Sequence, residues 1–328
     1  MKKVLLIGAG QLGSRHLQGI ARSDEPLSVT VVEPFALNLE TAINRFKKIE
    51  GHQKHSVVTH NDLTAVYHTS FDIAIIATNA DVRAQITMNM IEWVDVPYII
   101  FEKVVFQGAK QFDQVIDKLH VKGIQSWVNC PRRHFDYYKQ LKKRVSGKGS
   151  VNINVTGVEW GLACNSLHFI DLLFFLSSES EIMLTENNLI HKVFSSKRSG
   201  FVEFYGSFSG ETPMGSSISL NCSRKASDDE NPYQKISITL DDFSLLISEA
   251  SGEVMVMNNQ GIIIANEKIE VVYQSMLTNF QMQQIFRTGQ SELPDLLNSL
   301  NAHSFLFHAL SEPYFESTGI RDIEIPIT

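Results

Sequence analysis

The first sixteen residues, MKKVLLIGAGQLGSRH, constrain the fold more than any other stretch of the chain. Val4, Leu5, Leu6 and Ile7 form an unbroken apolar run, the pattern of a short strand buried on both faces. Gly8, Gly10 and Gly13 follow in the spacing GxGxxG. In a strand–turn–helix unit the three glycines do different things. The first permits the tight turn, the second lets backbone approach a pyrophosphate, and the third lets the helix lie close on the strand. A helix over about 11–22 would aim its free N–H groups and the positive end of its dipole at bound phosphates. Gln11 and Leu12, inside the fingerprint, belong to the same expected cofactor cradle.

A second strand, 28–32, ends in Glu33, twenty residues after Gly13. A carboxylate at that place accepts both hydroxyls of an adenosine ribose and repels a 2′-phosphate. Pro34 and Phe35 follow it, with no Arg or Lys in the next positions. The expected cofactor is therefore NAD, ahead of NADP.

Length and composition narrow the class. The chain has 328 residues, enough for two domains with a sizeable core, and its 43% hydrophobic and 20% charged content is that of an ordinary soluble globular protein. A formal net charge of −7 argues against nucleic acid as a partner. The three cysteines, Cys130, Cys164 and Cys222, form no CxxC pair, so neither a disulfide framework nor a zinc site is expected and a reducing cytoplasm fits. Lys2 and Lys3 before VLLIGAG imitate a signal peptide, but the apolar run is too short, and no stretch has the length of a membrane span.

Strands and helices alternate over the first 130 residues. Helical spacing over 36–49 is followed by a polar stretch, 51–70, with His52, His55, His60, His68 and a short edge strand at 56–59. No nearby carboxylate or cysteine completes a ligand set among these histidines, so no metal is expected there. Strands are expected at 73–77, 96–106 and 124–128, helices at 81–93 and 109–119. This alternation predicts one parallel sheet with helices on both faces. Thr78 and Asn79 fall just past the end of the 73–77 strand. Glu102 and Lys103 fall at the end of the next, where doubly wound sheets bind ligands.

The texture changes after residue 130. A helix at 135–145 ends at Gly147, and VNINVTGVEW then alternates as a half-exposed strand does. Similar strands are expected at 201–208, 216–223, 234–240, 243–249, 253–257 and 261–265, with a closing strand at 321–327. Helices are expected at 165–176, 276–287 and 293–310. RKASDDENPY, 224–233, reads as a hairpin loop or flap. The second half is thus expected to carry a large, mostly antiparallel sheet.

Hydride transfer needs a proton acceptor beside the carbinol and polar groups to orient the substrate. Lys103 is one candidate, since a partly desolvated lysine near a cationic nicotinamide becomes a better base. His168 is the other: Asp171, three residues on, shares its helical face and would hold the imidazole in one tautomer. Arg132 and Arg133 suit a phosphate or carboxylate on the substrate, or are plain surface arginines. Trp160 suits core packing or stacking on a sugar ring.

These pieces, in this order, resemble the glucose–fructose oxidoreductase, inositol dehydrogenase and MocA family of NAD(P)-dependent oxidoreductases, over nearly the whole chain. GAGQLGSRH (8–16) resembles the family's cofactor fingerprint. ATNADVR (77–83) resembles ATPxxxH, FEKVVF (101–106) the EKP motif, and HFIDLLFFL (168–176) the HxxDLLxxL helix. VNCPRRHFDYYKQL (128–141) resembles the segment entering the second domain, and SLNAHSFLFHAL (299–310) a helix near the C-terminus. The resemblance implies an α/β protein: an N-terminal Rossmann domain, 1–130, then a C-terminal α/β domain with an open sheet, 131–328. It implies a sugar-like polyol substrate and homodimers or homotetramers formed through that sheet. It carries Lys103 and His168 over as catalytic residues and raises Asp171 and Arg132 as pocket residues. The sequence departs from the pattern at Val104 for proline, Asn79 for proline, Arg83 for histidine, and Cys164 for an aspartate, with Asn165 beside it to orient a hydroxyl. The expected activity is NAD-dependent oxidation or reduction of a sugar, polyol or nucleotide-linked sugar. The alternative is a non-catalytic dinucleotide-binding regulator on the same scaffold, and a third reading is a reductase for an imine or tetrapyrrole.

Overall fold

The apolar run at the start forms β1 (Lys2–Ile7), whose last four side chains are buried. The structure, a computed structural model, describes residues 1–147, 149–226, 232–321 and 324–328. They form two units: 1–106, 110–131 and 272–297 in the first, and 107–109, 132–271 and 298–328 in the second.

In unit 1, β1 is followed by α1 (Gly13–Ile20), β2 (Leu27–Val32), α2 (Ala36–Phe46), β3 (Ser56–His60) and β4 (Ile73–Ile76). Then come α3 (Ala80–Trp93), β5 (Tyr98–Phe101), α4 (Ala109–Val121) and β6 (Gln125–Val128). The six strands pair in parallel in the order β3-β2-β1-β4-β5-β6. The order reverses between β1 and β4, which opens a crevice at their C-terminal ends. The interior strand residues are apolar and fully buried, Val4, Leu6, Val29, Val31, Ile73, Ile75 and Ile100 among them.

α7 (Gln274–Thr288) also belongs to unit 1, although the sequence places residues 131–328 in the second domain. It lies on α1 so closely that a Cβ on Gly19 would stand 2.7 Å from the Thr278 Cβ. Leu277, Met282 and Ile285 are buried there.

Unit 2 is built on α5 (Asp136–Val145), β7 (Asn152–Val158) and α6 (Leu162–Ser177). The strands β8 (Met183–Leu189), β9 (Phe194–Ser195), β10 (Val202–Glu203), β11 (Gly206–Glu211) and β12 (Ser217–Ser223) follow. Then come β13 (Tyr233–Thr239), β14 (Phe243–Ser248), β15 (Glu253–Asn258), β16 (Ile263–Lys268) and, past α7, α8 (Leu296–Thr318). Eight strands form one sheet, β16-β15-β14-β13-β7-β12-β11-β8, antiparallel throughout except for β7 with β12. α6 buries Leu167, Ile170 and Phe174. β9 and β10 form a separate hairpin.

Some expectations fail. β8 and β9 stand where the sequence predicts no strand. The closing strand is absent from residues 324–328, which are held by single bonds from Ile325 N–H to Gln107 O and from Val202 N–H to Pro326 O. The 224–233 loop lies in part, at 227–231, outside the described residues. Among the described residues no helix is long and apolar enough to cross a membrane.

Candidate active site

The glycine turn sits at the β1–β4 crevice, and its three glycines are needed for different reasons. Gly8 has φ +87°, and a Cβ on it would lie 2.8 Å from the backbone of Ala77 and Thr78. A Cβ on Gly13 would fall 2.0 Å from the Gly8 carbonyl oxygen, so α1 could not start where it does. Gly10 meets nothing within 4 Å: its open side faces space, not protein. Gln11 and Leu12 complete the turn into α1, with Leu12 at the N-cap.

A cavity of about 300 Å³ opens beside this turn, walled by Gly8, Gly10, Glu33, Phe35, Thr78 and Asn79, among others. Glu33 is buried, and its carboxylate accepts from the N–H groups of Ala9 (2.6 Å) and Phe35 (3.1 Å) and from Asn38 Nδ2 (3.3 Å). A carboxylate offers about four acceptor positions, so about one is left for a ligand hydroxyl, where the sequence suggests two. The Thr78 hydroxyl is buried and has no protein partner among the described residues. An open glycine, an orphaned hydroxyl and a strand-end carboxylate in one crevice fit a dinucleotide. Asn61, Asp62 and Leu63 also line the cavity. Sequence reasoning misses them, although they follow the C-terminal end of β3, where the strand-end rule would find them.

Glu102 follows β5 but does not line that cavity. It is buried, 2.6 Å from His16 Nε2 and 2.5 Å from Asn129 Nδ2. His16 Nδ1 lies 3.0 Å from the Thr278 hydroxyl, and Asn129 bonds both Gln274 (2.8 Å) and Gln281 (2.9 Å). One buried polar network thus joins α1, the ends of β5 and β6, and α7. Arg83, also fully buried, donates to four carbonyls: Thr78, Glu102 (2.8 Å), Val104 and Val105 (2.9 Å). Its guanidinium therefore ties the end of β4 to the backbone on both sides of Lys103. The Lys103–Val104 peptide is cis.

In unit 2, Arg132, Trp160, Asn165 and His168 wall a cavity of about 420 Å³ together with Glu159, Lys197, Tyr233 and Glu249. The start of α6 places Asn165, whose Nδ2 donates to Trp160 O (2.7 Å), one turn before His168. Arg132 makes a paired contact with Glu249 (2.8 and 2.6 Å) and lies 4.4 Å over the Phe169 ring, with Tyr138 donating to the same carboxylate (2.8 Å). Burial works against the Arg132 charge and Glu249 for it; the net effect holds its pKa above the usual guanidinium value. Burial, reinforced by Glu249, pushes the Tyr138 phenol well up as well. Arg133 grips Asp171 with bonds of 2.7 and 3.0 Å. Asp171 thus pairs with Arg133 and is not among the residues walling the His168 cavity. Trp160 is buried, edge-on to Phe169, and donates to Asn221 O (2.8 Å).

A parallel six-stranded unit with a glycine turn at its switch point, followed by a large open mixed sheet, defines the two-part plan of the glucose–fructose oxidoreductase, inositol dehydrogenase and MocA type of oxidoreductase, and this chain has that fold. It is similar to UDP-N-acetylglucosamine 3-dehydrogenase GnnA from Acidithiobacillus ferrooxidans, with a TM-score of 0.68 and 12% identity over 94% of this chain and 96% of that one. An oxidoreductase from Agrobacterium radiobacter, solved in complex with NAD+, L-tartaric acid and magnesium, gives a TM-score of 0.70 at 12% identity, covering 95% and 96%. A super-repressor mutant of Gal80p from Saccharomyces cerevisiae gives 0.70 at 14% identity, covering 96% of each chain. No family model and no curated protein matches the sequence.

Proposed function

We propose that this protein is an NAD-dependent oxidoreductase acting on a hydroxyl-bearing carbon of a sugar, polyol or nucleotide-linked sugar. The observation that carries this is the crevice at β1 and β4, where Gly10 faces open space beside Glu33 and the orphaned Thr78 hydroxyl. When bound, the nicotinamide supplies the hydride acceptor or donor. The backbone of Gly8, Gly10, Gln11, Leu12 and Gly13 holds the pyrophosphate. Glu33 takes a ribose hydroxyl and repels a 2′-phosphate, which favours NAD over NADP. Thr78 and Asn79 line the same crevice, and Glu102 acts from behind by fixing the strand end that carries Lys103. Lys103 or His168 accepts the hydroxyl proton, Asn165 and Arg132 orient the substrate, and Asp171 acts through Arg133 as a positioning residue.

The test is a fluorescence titration with NADH and NADPH, then a screen of sugars, polyols and nucleotide sugars followed by NADH absorbance. Saturable binding with NADH the tighter ligand is expected, with turnover lost in a Lys103→Met, His168→Ala double variant. Undiminished turnover in that variant overturns the residue assignment, and absence of NADH binding overturns the whole reading.

A second reading, a dinucleotide-binding regulator, is favoured by Cys164 standing where the resemblance expects a carboxylate. Saturable NADH binding without turnover of any candidate would select it. In either case we expect a cytoplasmic homodimer or homotetramer paired through the open sheet face, which sedimentation would check.

A further inference from the structure

A second cavity, about 540 Å³, adjoins the His168 cavity within unit 2, and the two share Glu159, Trp160, Asn165 and Lys197 as walls. Pockets for small ligands run from about 300 to 1,000 Å³, so the pair offers far more room than one sugar ring requires. The chemistry of the added space differs from that around His168. Lys197 and Arg198, in the β9–β10 hairpin, and Arg224, just past β12, line it. Among the described residues none of these three cations forms a salt bridge. Arg224 instead lies near the faces of Phe194 (4.9 Å to the ring centre) and Tyr205 (5.8 Å), two rings set edge to face at 75°.

Two side-chain carboxylates share the wall, Glu159 and Glu203, and Thr328, the last residue of the sequence, lines it as well. Glu203 is buried and turned inward, accepting from the N–H groups of Ala163 (2.6 Å) and Phe204 (3.0 Å). Glu159 has φ +44°, a left-handed backbone conformation uncommon for a glutamate. By contrast the cations that flank His168 from the chain entering unit 2 are already spent: Arg132 on Glu249 and Arg133 on Asp171. An anion arriving at this end of unit 2 therefore meets its open donors at Lys197, Arg198 and Arg224, and not at the arginine pair that sequence reasoning puts forward.

We propose that Lys197, Arg198 and Arg224 form an anion subsite that takes the phosphate of a phosphate-bearing sugar, whose ring reaches the neighbouring His168 and Asn165. This rests on the oxidoreductase reading for its chemistry and narrows the substrate from any sugar or polyol to a sugar phosphate or a nucleoside diphosphate sugar. Arginine and lysine donors suit phosphate oxygens, and the Phe194 and Tyr205 rings beside Arg224 add aromatic surface to the same wall.

Calorimetry on the full chain with glucose, glucose 1-phosphate and UDP-glucose tests it. At least one phosphate-bearing probe is expected to bind tenfold or more tighter than glucose. Preference for glucose 1-phosphate assigns a monoester, and preference for UDP-glucose a diphosphate; both support the subsite. Lys197→Glu and Arg224→Glu, at two exposed positions, are each expected to weaken the preferred probe at least tenfold while leaving NADH binding unchanged. Equal binding of all three probes, or affinities within twofold of the parent in both variants, overturns the proposal. NADH titration of the same samples separates the outcomes: failure to bind NADH removes the oxidoreductase reading and leaves the anion measurement standing.

Discussion

Replacing Gly10 and Gly13 by alanine, one at a time, should separate coenzyme binding from folding. At Gly10 a methyl enters open space, and the backbone is not in the left-handed region, so the folded state loses nothing. Restricting the unfolded chain should even stabilise it, by about 0.4–1 kcal/mol. The same methyl occupies the side from which a pyrophosphate must approach. Backbone donors reach phosphate oxygens at about 2.9 Å, closer than a carbon at van der Waals distance allows. One or two hydrogen bonds to a charged group are lost, each worth about 1.5–3 kcal/mol, and the NADH dissociation constant should rise roughly tenfold or more. At Gly13 the methyl would stand 2.0 Å from a backbone oxygen, so α1 or the turn must shift by roughly 1 Å or more to restore van der Waals distance. Overpacking against backbone costs about 1–3 kcal/mol or more. Thermal unfolding and NADH fluorescence are measured on both variants. Gly10→Ala binding NADH within threefold of the parent, or Gly13→Ala as stable as the parent, would refute these roles for the two glycines.

Three further outcomes follow from the geometry. Arg83→Met should destabilise the protein by about 3–5 kcal/mol in urea titration, because four carbonyls lose a buried charged donor, and Arg83→Lys should recover part of it; a loss below about 1 kcal/mol for the methionine variant would contradict the clamp. Burial lowers the pKa of His55, whose Nδ1 accepts from Leu27 N–H (3.1 Å) while Nε2 faces Ala21 O (3.2 Å). The unfolded chain then binds the proton more readily. The His55 contribution is therefore present above about pH 6.5 and lost as pH falls through the folded value, and His55→Gln should flatten that acid limb of the stability profile. Burial pushes the Cys222 thiol up to about 11, so mass spectrometry after iodoacetamide treatment at pH 8 should find half-buried Cys164 alkylated well before Cys222; equal rates would count against the buried assignment.

What the sequence reveals depends on whether the determining contacts are local. The glycine turn, Glu33 and the strand ends at Thr78 and Lys103 lie within single strand–turn–helix units, and their spacing alone places them. β8 is invisible because MLTENNL is an edge strand, exposed on most of its length, with no buried alternation to read. The segment 324–328 alternates like a strand, but Pro326 has no N–H to give and only isolated bonds form. His168 and Asp171 share a helical face as their spacing requires. Asp171 also bonds Arg133, a partner from another element that helical spacing cannot reveal. Arg83 stands out in the sequence only as a departure from a motif, and its four carbonyl partners are set by tertiary structure. Gln274, Thr278 and Gln281 carry no signal at all, since polar residues on a helix ordinarily face water.

The return of α7 to unit 1 also orders events during synthesis. A ribosome that has made the first 131 residues has supplied all six strands of the parallel sheet, yet His16 and Asn129 still lack their glutamine and threonine neighbours, and α1 has an uncovered flank. The parallel-sheet unit cannot reach its final form until residue 297 has emerged, after the whole large sheet of the other unit has been translated. A fragment cut at residue 131 should therefore be aggregation-prone, whereas one that fuses 272–297 to it through a short linker should fold.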